Sequence, residues 1–81
     1  MATSFALDID QYVGIVHTQA IIDLVNKTIS EHGLKASLVC FYDNKIFFSI
    51  EDDDADLMGA CVNEIGRRVH SYIEENCPET N

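Results

Sequence analysis

The sequence is short of cations. Its 81 residues contain five Lys and Arg against 14 Asp and Glu, which gives a formal net charge of −9. Phosphate binding needs clustered cations, so the composition disfavours an ordinary role in binding DNA or RNA directly. The basic doublet Arg67-Arg68 does not change this, because neighbouring residues on a helix point about 100° apart.

Proline and glycine are also scarce, with one Pro and four Gly, and Trp is absent. Apolar residues make up 47% of the chain, which is too much for a disordered tail. We therefore expect one small folded domain over residues 1–81, with a loose tail at 78–81. No basic, apolar leader and no membrane-length apolar run is visible, so we expect a cytosolic protein.

Three cysteines at wide spacing, Cys40, Cys61 and Cys77, cannot make a complete disulfide framework, and we expect buried thiols. The chain has no Cys-x2-Cys or His-x3-His pair, no Gly-rich phosphate loop and no nucleophile elbow. We therefore expect no metal site, no cofactor and no enzymatic activity. His32, just before Gly33, is typical of a helix end.

The middle of the chain predicts a β-hairpin. Two β-branched and aromatic runs, residues 37–42 and 46–50, flank a polar turn that is either Asp43-Asn44 or Asn44-Lys45. Both registers put the same side chains on one face, which we expect to lie in the core: Val39, Phe41, Ile46, Phe48 and Ile50.

The first third of the chain predicts a helix that stops at Gly33. Its apolar residues recur at helical spacing: Val13, Val16, Ala20, Ile21, Ile22, Leu24, Val25 and Ile29. The start has two interpretations. Asp10 caps a long helix, which we favour, or Thr18 caps a shorter one and a strand with alternating Phe5, Leu7 and Ile9 precedes it.

The last element is a helix that begins after Asp53 or Asp54, with Asp56 in its first turn, and ends before Pro78. An apolar stripe runs along it: Leu57, Met58, Cys61, Val62, Ile65, Val69, Tyr72 and Ile73. The pairs Glu64–Arg68 and His70–Glu74 lie on its polar side.

These elements predict an α+β fold of order α-β-β-α, with a possible extra N-terminal strand and both helices on one face of an antiparallel sheet. The other face of the hairpin carries Leu38, Cys40, Phe47 and, near the hairpin tip, Tyr42, beside Lys45, Ser49 and Glu51. This face is more apolar than a wet surface requires. We expect a second copy or another protein to cover it.

Five carboxylates occur within six residues: Glu51, Asp52, Asp53, Asp54 and Asp56. Three of them match the first ligand positions of a calcium loop, but Leu57 stands where the loop needs Gly and Asn63 where it needs Glu. Two interpretations remain. The run stabilises the start of the last helix, or it contacts a basic surface on a partner.

The charge favours a non-enzymatic inhibitor or adaptor that binds another protein, with carboxylates placed where that protein expects phosphates. In size and charge the chain resembles small phage- or plasmid-encoded antagonists of restriction, CRISPR or transcription machinery, a resemblance of composition without a motif. The partner-binding residues would be the five carboxylates and Tyr42. The alternative is a structural or regulatory homodimer joined either through the face of Leu38, Cys40, Tyr42 and Phe47 or through the hairpin edge, with the charge serving solubility.

Overall fold

The computed structural model describes residues 2–9 and 13–77, which form a small α+β fold, as predicted. The sheet is antiparallel with strand order β1-β3-β2, so β3 is central. No helix in these ranges is long and apolar enough to cross a membrane. The elements are β1 (Ala2–Asp8), α1 (Ile15–Glu31), β2 (Lys35–Tyr42), β3 (Lys45–Glu51) and α2 (Ala55–Asn76).

Strand β1 shows that the favoured long first helix was wrong and that the alternative, an N-terminal strand, was right. β1 pairs with β3 from Ala2↔Glu51 to Asp8↔Lys45. Phe5 lies opposite Phe48, and their rings stack with centroids 5.4 Å apart. The physical reason is that a two-stranded ribbon is marginal alone, and β1 supplies the third strand that β3 needs.

Helix α1 begins at Ile15, with Gly14 as its N-cap, so neither predicted cap is used. Thr18 lies inside the helix, and Asp10 lies outside the described residues. The predicted stripe also needs a correction, because Val16 is 77% exposed. Val16 lies nine residues before buried Val25, which places the two about 180° apart around the helix. The buried face of α1 consists of Ile21, Val25, Thr28 and Ile29.

The end of α1 confirms the predicted stop. Gly33 has a φ of +73°, and the Leu34 N–H donates to the Ile29 carbonyl at 3.1 Å, which is the Schellman arrangement. His32 is the C-cap, and its Nδ1 donates to the Thr28 carbonyl at 2.8 Å. The Thr28 carbonyl also accepts from the His32 backbone N–H at 3.2 Å, so the imidazole adds a second bond to the last turn of the helix.

The hairpin is confirmed with Asp43-Asn44 as its turn, since Tyr42 pairs with Lys45. Both turn residues are left-handed, with φ values of 52° and 58°, as a two-residue type I′ turn requires. Asn44 also joins the turn to the end of β1. Its backbone carbonyl accepts from the Ile9 N–H at 3.0 Å, and its side-chain amide donates to the Ile9 carbonyl.

The predicted core face of the hairpin is confirmed. Ile46, Phe48 and Ile50 are at most 2% exposed, and Val39 and Phe41 pack against them half-buried. A register shift between Ala36 and Leu38 inserts one extra residue into β2. This bulge keeps both Ala36 and Val39 on the core face although they are three residues apart.

Helix α2 follows the prediction closely. Asp54 is its N-cap and Asp56 lies in its first turn. The predicted apolar stripe faces the core, with its centre fully buried: Cys61, Ile65, Val69 and Ile73. The helix ends at Asn76, and Pro78, predicted to end it, lies outside the described residues.

Arg68 joins the two helices. Its guanidinium donates to Glu31 on α1 at 2.7 Å, to Glu64 on α2 at 2.9 Å and to the buried Thr28 hydroxyl at 3.1 Å. The bond from Arg68 lowers the pKa of Glu31, and the pKa of Arg68 is raised in turn. Because the folded state favours the ionised carboxylate, this link stabilises the fold at neutral pH and weakens as the pH falls through the range of Glu31.

Replacing Asn44 tests the turn and its link to β1. Asn44→Ala loses the side-chain bond and replaces Asn, which tolerates the left-handed region, by a residue that does not, so we expect a loss of about 2 kcal/mol of unfolding free energy. Asn44→Gly loses only the side-chain bond, because Gly adopts the left-handed region readily, and we expect a loss of about 1 kcal/mol of unfolding free energy. Urea unfolding measures both. Equal stability of the two variants would show that the turn conformation contributes nothing.

Candidate interaction surfaces

The five predicted partner-binding carboxylates lie together where β3 leads into α2, and we call residues 51–56 the acidic segment. Asp52 shapes the connection, since its Oδ1 accepts from the backbone N–H of Asp53 at 2.6 Å and of Asp54 at 2.9 Å. The Asp54 Oδ1 accepts from the N–H of Asp56 and of Leu57, each at 3.1 Å. The segment is therefore held in one conformation by its own side chains.

These bonds give Asp52 and Asp54 a structural task. A side-chain oxygen at the N-cap satisfies N–H groups that the helix leaves unpaired, and negative charge there meets the positive end of the helix dipole. The helix-stabilising interpretation of the acidic segment is thus part of its role. The carboxylates remain exposed at the surface, apart from the half-buried Asp52.

Three of the five Lys and Arg residues form ion pairs with carboxylates outside the acidic segment. Lys45 lies 3.8 Å from Asp8, Arg67 lies 2.7 Å from Glu64, and Arg68 bridges Glu64 and Glu31. Within residues 2–9 and 13–77, no three His, Cys, Asp or Glu side chains are grouped so that they could hold a metal ion. The predicted pair His70–Glu74 is confirmed at 2.7 Å on the exposed side of α2.

The second surface is the sheet face turned away from the helices, which we call the open face. The structure brings together here the three residues predicted as a dimer or partner face, Leu38, Cys40 and Phe47. In the register, Leu38 pairs with Ser49 and Cys40 with Phe47. Leu38 is 58% exposed and Tyr42, at the tip, is 73% exposed, whereas Cys40 and Phe47 are half-buried by their neighbours.

Two features of the surfaces were missed from the sequence. Ile15 and Val16 are two neighbouring apolar residues at the start of α1 whose side chains are exposed, at 89% and 77%. Asp8 and Lys35 were missed on the open face as well, since Asp8 joins this face only when β1 is a strand, whereas Lys45 and Glu51 were expected there from the hairpin. The alternation of Phe5, Leu7 and Ile9 was the signal for that strand.

A shallow groove of about 310 Å³ lies between the outer sides of α1 and α2. The side chains that line it are Leu24, Arg67, Arg68, Ser71, Tyr72 and Glu75. Both guanidinium groups are already engaged with Glu64, and Arg68 also with Glu31. The Tyr72 hydroxyl is hydrogen-bonded to His17 Nδ1 at 3.0 Å.

The three cysteines are present as thiols, but only Cys61 is fully buried, whereas Cys40 and Cys77 are half-buried. The expectation that all three are buried was therefore correct for one. Burial raises the pKa of the Cys61 thiol, an effect that the charge of Arg68 opposes. Cys40 lies on the open face, where a flat sheet leaves part of each side chain accessible.

Thiol reactivity should separate these positions. The thiolate is the reactive form, so a buried thiol with a raised pKa reacts slowly. During brief treatment with iodoacetamide at neutral pH, we expect peptide mass spectrometry to find Cys40 alkylated and Cys61 intact, and both alkylated in concentrated urea. Equal labelling of the two in the folded protein would contradict the burial of Cys61.

The N-cap can be tested with two substitutions of Asp54. Asp54→Ala removes the oxygen that caps α2, and we expect a loss of about 1 kcal/mol of unfolding free energy, whereas Asp54→Asn should change it by only a few tenths. Urea unfolding followed by circular dichroism measures both. If Asn costs as much as Ala, the charge rather than the capping bond is the main contribution.

Comparison with known proteins adds no relative: no protein-family model, no curated protein and no solved structure matches the chain.

Proposed function

We propose that this protein is a non-enzymatic binding protein that uses the acidic segment to engage a basic, phosphate-binding surface of another protein and blocks that surface to nucleic acid. The observation that carries the proposal is the fixed row of carboxylates between β3 and α2. Asp52 and Asp54 hold this row through four backbone N–H bonds.

The fixed conformation favours binding because less conformational freedom is lost when a partner docks. A protein surface built for duplex DNA is a row of Lys and Arg facing about one negative charge per 1.7 Å of helix axis. Closely spaced carboxylates on a folded chain offer a similar density of charge. A net charge of −9 also speeds the encounter with a basic partner.

The distribution of ion pairs supports the same surface. Lys45, Arg67 and Arg68 are paired with Asp8, Glu31 and Glu64, so these cations partly neutralise other regions of the surface. The acidic segment lies apart from those pairs. Exposed Tyr42 ends β2 opposite Lys45, at the far end of the hairpin from the acidic segment, so it belongs to the open face and not to the carboxylate surface.

The triple substitution Asp52→Asn, Asp53→Asn and Asp54→Asn tests the proposal, since Asn keeps the shape of the side chain and still caps a helix. The tagged protein is used to capture proteins from bacterial lysate at about 0.1 M salt, followed by mass spectrometry and competition with duplex DNA. We expect wild type to recover nucleic-acid-binding proteins that duplex DNA displaces, and the triple variant to recover at least about tenfold less.

The matched control removes the same charge elsewhere: Asp23→Asn, Glu74→Gln and Glu75→Gln, all on exposed helix positions. We expect this control to bind like wild type, and binding to vanish at about 0.5 M salt, where the screening length is about 4 Å. Equal loss in both triple variants would show that net charge alone acts. Recovery of no nucleic-acid-binding protein would count against the proposal.

A further inference from the structure

The open face is the electrically balanced part of an acidic molecule. Four of its residues are charged, Asp8 and Glu51 against Lys35 and Lys45. Two of the five Lys and Arg residues of the chain thus lie on this one face, although the whole chain carries −9. Two copies can bring these faces together without placing the acidic excess between them.

The strand register arranges the open face in four rows across the sheet, with the charges confined to the two end rows. The middle rows are apolar or small and centre on Phe47 and Leu38. The rows, read from β1 through β3 to β2, are Ala2-Glu51-Lys35, Ser4-Ser49-Leu38, Ala6-Phe47-Cys40 and Asp8-Lys45-Tyr42.

We propose that a second copy of this chain packs on the open face, related to the first by a twofold axis that lies between the sheets and runs across the strands. Such a rotation reverses the strand direction and keeps the strand order. Each end row then faces the opposite end row of the second copy. Glu51 meets the partner's Lys45 and Lys35 meets the partner's Tyr42, each contact occurring twice.

The alternative twofold axis, parallel to the strands, is disfavoured by charge. It would place Lys45 against the partner's Lys45 and Glu51 against the partner's Glu51. Stacked sheets pack about 10 Å apart, a distance that Lys and Glu side chains span together. Opposite charges face each other only with the axis across the strands, so the face is self-complementary in that arrangement.

The size of the open face sets the strength of the dimer. Three strands of this length cover a rectangle of about 24 Å by 14 Å. The area of this rectangle is well below the roughly 800 Å² that each partner buries in a standard stable interface. The dimer is therefore reversible and weak. The exposed side chain of Leu38 and the half-buried ring of Phe47 supply its apolar centre.

Charge reversal tests how the two open faces are aligned in the dimer. Each single variant, Lys45→Glu and Glu51→Lys, places like charges opposite one another at two symmetric contacts, and we expect dimerisation to weaken about tenfold. The double variant Lys45→Glu with Glu51→Lys restores opposite charges and should recover the wild-type dissociation constant to within about threefold. Sedimentation equilibrium of the purified protein up to about 1 mM measures all three.

Glu51→Lys separates the specific contact from net charge, because it lowers the repulsion between copies and would tighten the dimer if net charge alone acted. The matched control Asp23→Lys with Lys27→Glu exchanges two exposed charges of opposite sign on α1, away from the open face, and should dimerise like wild type. Leu38→Lys, at an exposed position outside the core, should give a folded monomer, with folding checked by circular dichroism.

A wild type that is monomeric throughout this range would overturn the proposal. So would a tighter dimer in Glu51→Lys, or a double variant that folds yet fails to recover, which would point to association through a sheet edge. The dimer uses Glu51 but none of Asp52, Asp53 and Asp54, so the two proposals can fail separately: the purified dimer should persist at about 0.5 M salt, where binding to a basic partner is lost, and in the triple Asp→Asn variant.

Discussion

The fold depends on the strict alternation of strand β3. Ile46, Phe48 and Ile50 point to one side and are buried, while Lys45, Phe47 and Ser49 point to the other and remain half-exposed. Because β3 has a strand on each side, its backbone groups are satisfied along both edges. The buried side chains of this one strand are then the common surface on which both helices pack.

This one-sided burial explains the shape of the remaining surface. The apolar faces of α1 and α2 meet the same side of the sheet, and Arg68 joins the helices through Glu31 and Thr28 at their outer edge. The opposite side of the sheet receives neither helix. An antiparallel sheet tolerates a wet face, but a face centred on Leu38 and Phe47 is more apolar than solvent exposure requires.

The charged residues are also distributed unevenly over the surface. The acidic segment combines a local task, in which Asp52 and Asp54 satisfy backbone N–H groups, with a field that extends to any basic partner. The open face carries balanced charge at its ends. The two proposed interactions therefore use neighbouring surfaces that share Glu51, and they are expected to respond to salt differently.

The sequence by itself determined the features whose causes are local. A period of two identified the core face of the hairpin, and a period near 3.6 identified the buried stripe of α2. Turn and cap chemistry located the stop at Gly33, limited the hairpin turn to two registers, and limited the cap of α2 to Asp53 or Asp54. These signals work because neighbouring residues along the chain fix them. The pairing of Arg68 with Glu64, one turn apart on α2, was visible for the same reason.

Only the tertiary structure decided the rest. Whether the first residues form a strand or extend the helix depends on the free edge of β3, which no local pattern contains. Val16 lies on the exposed face of α1 because the position of the sheet decides which side of the helix is buried. The four charges of the open face come from three strands, so their arrangement in end rows exists only once the strands are in register, and long-range pairing sets that register.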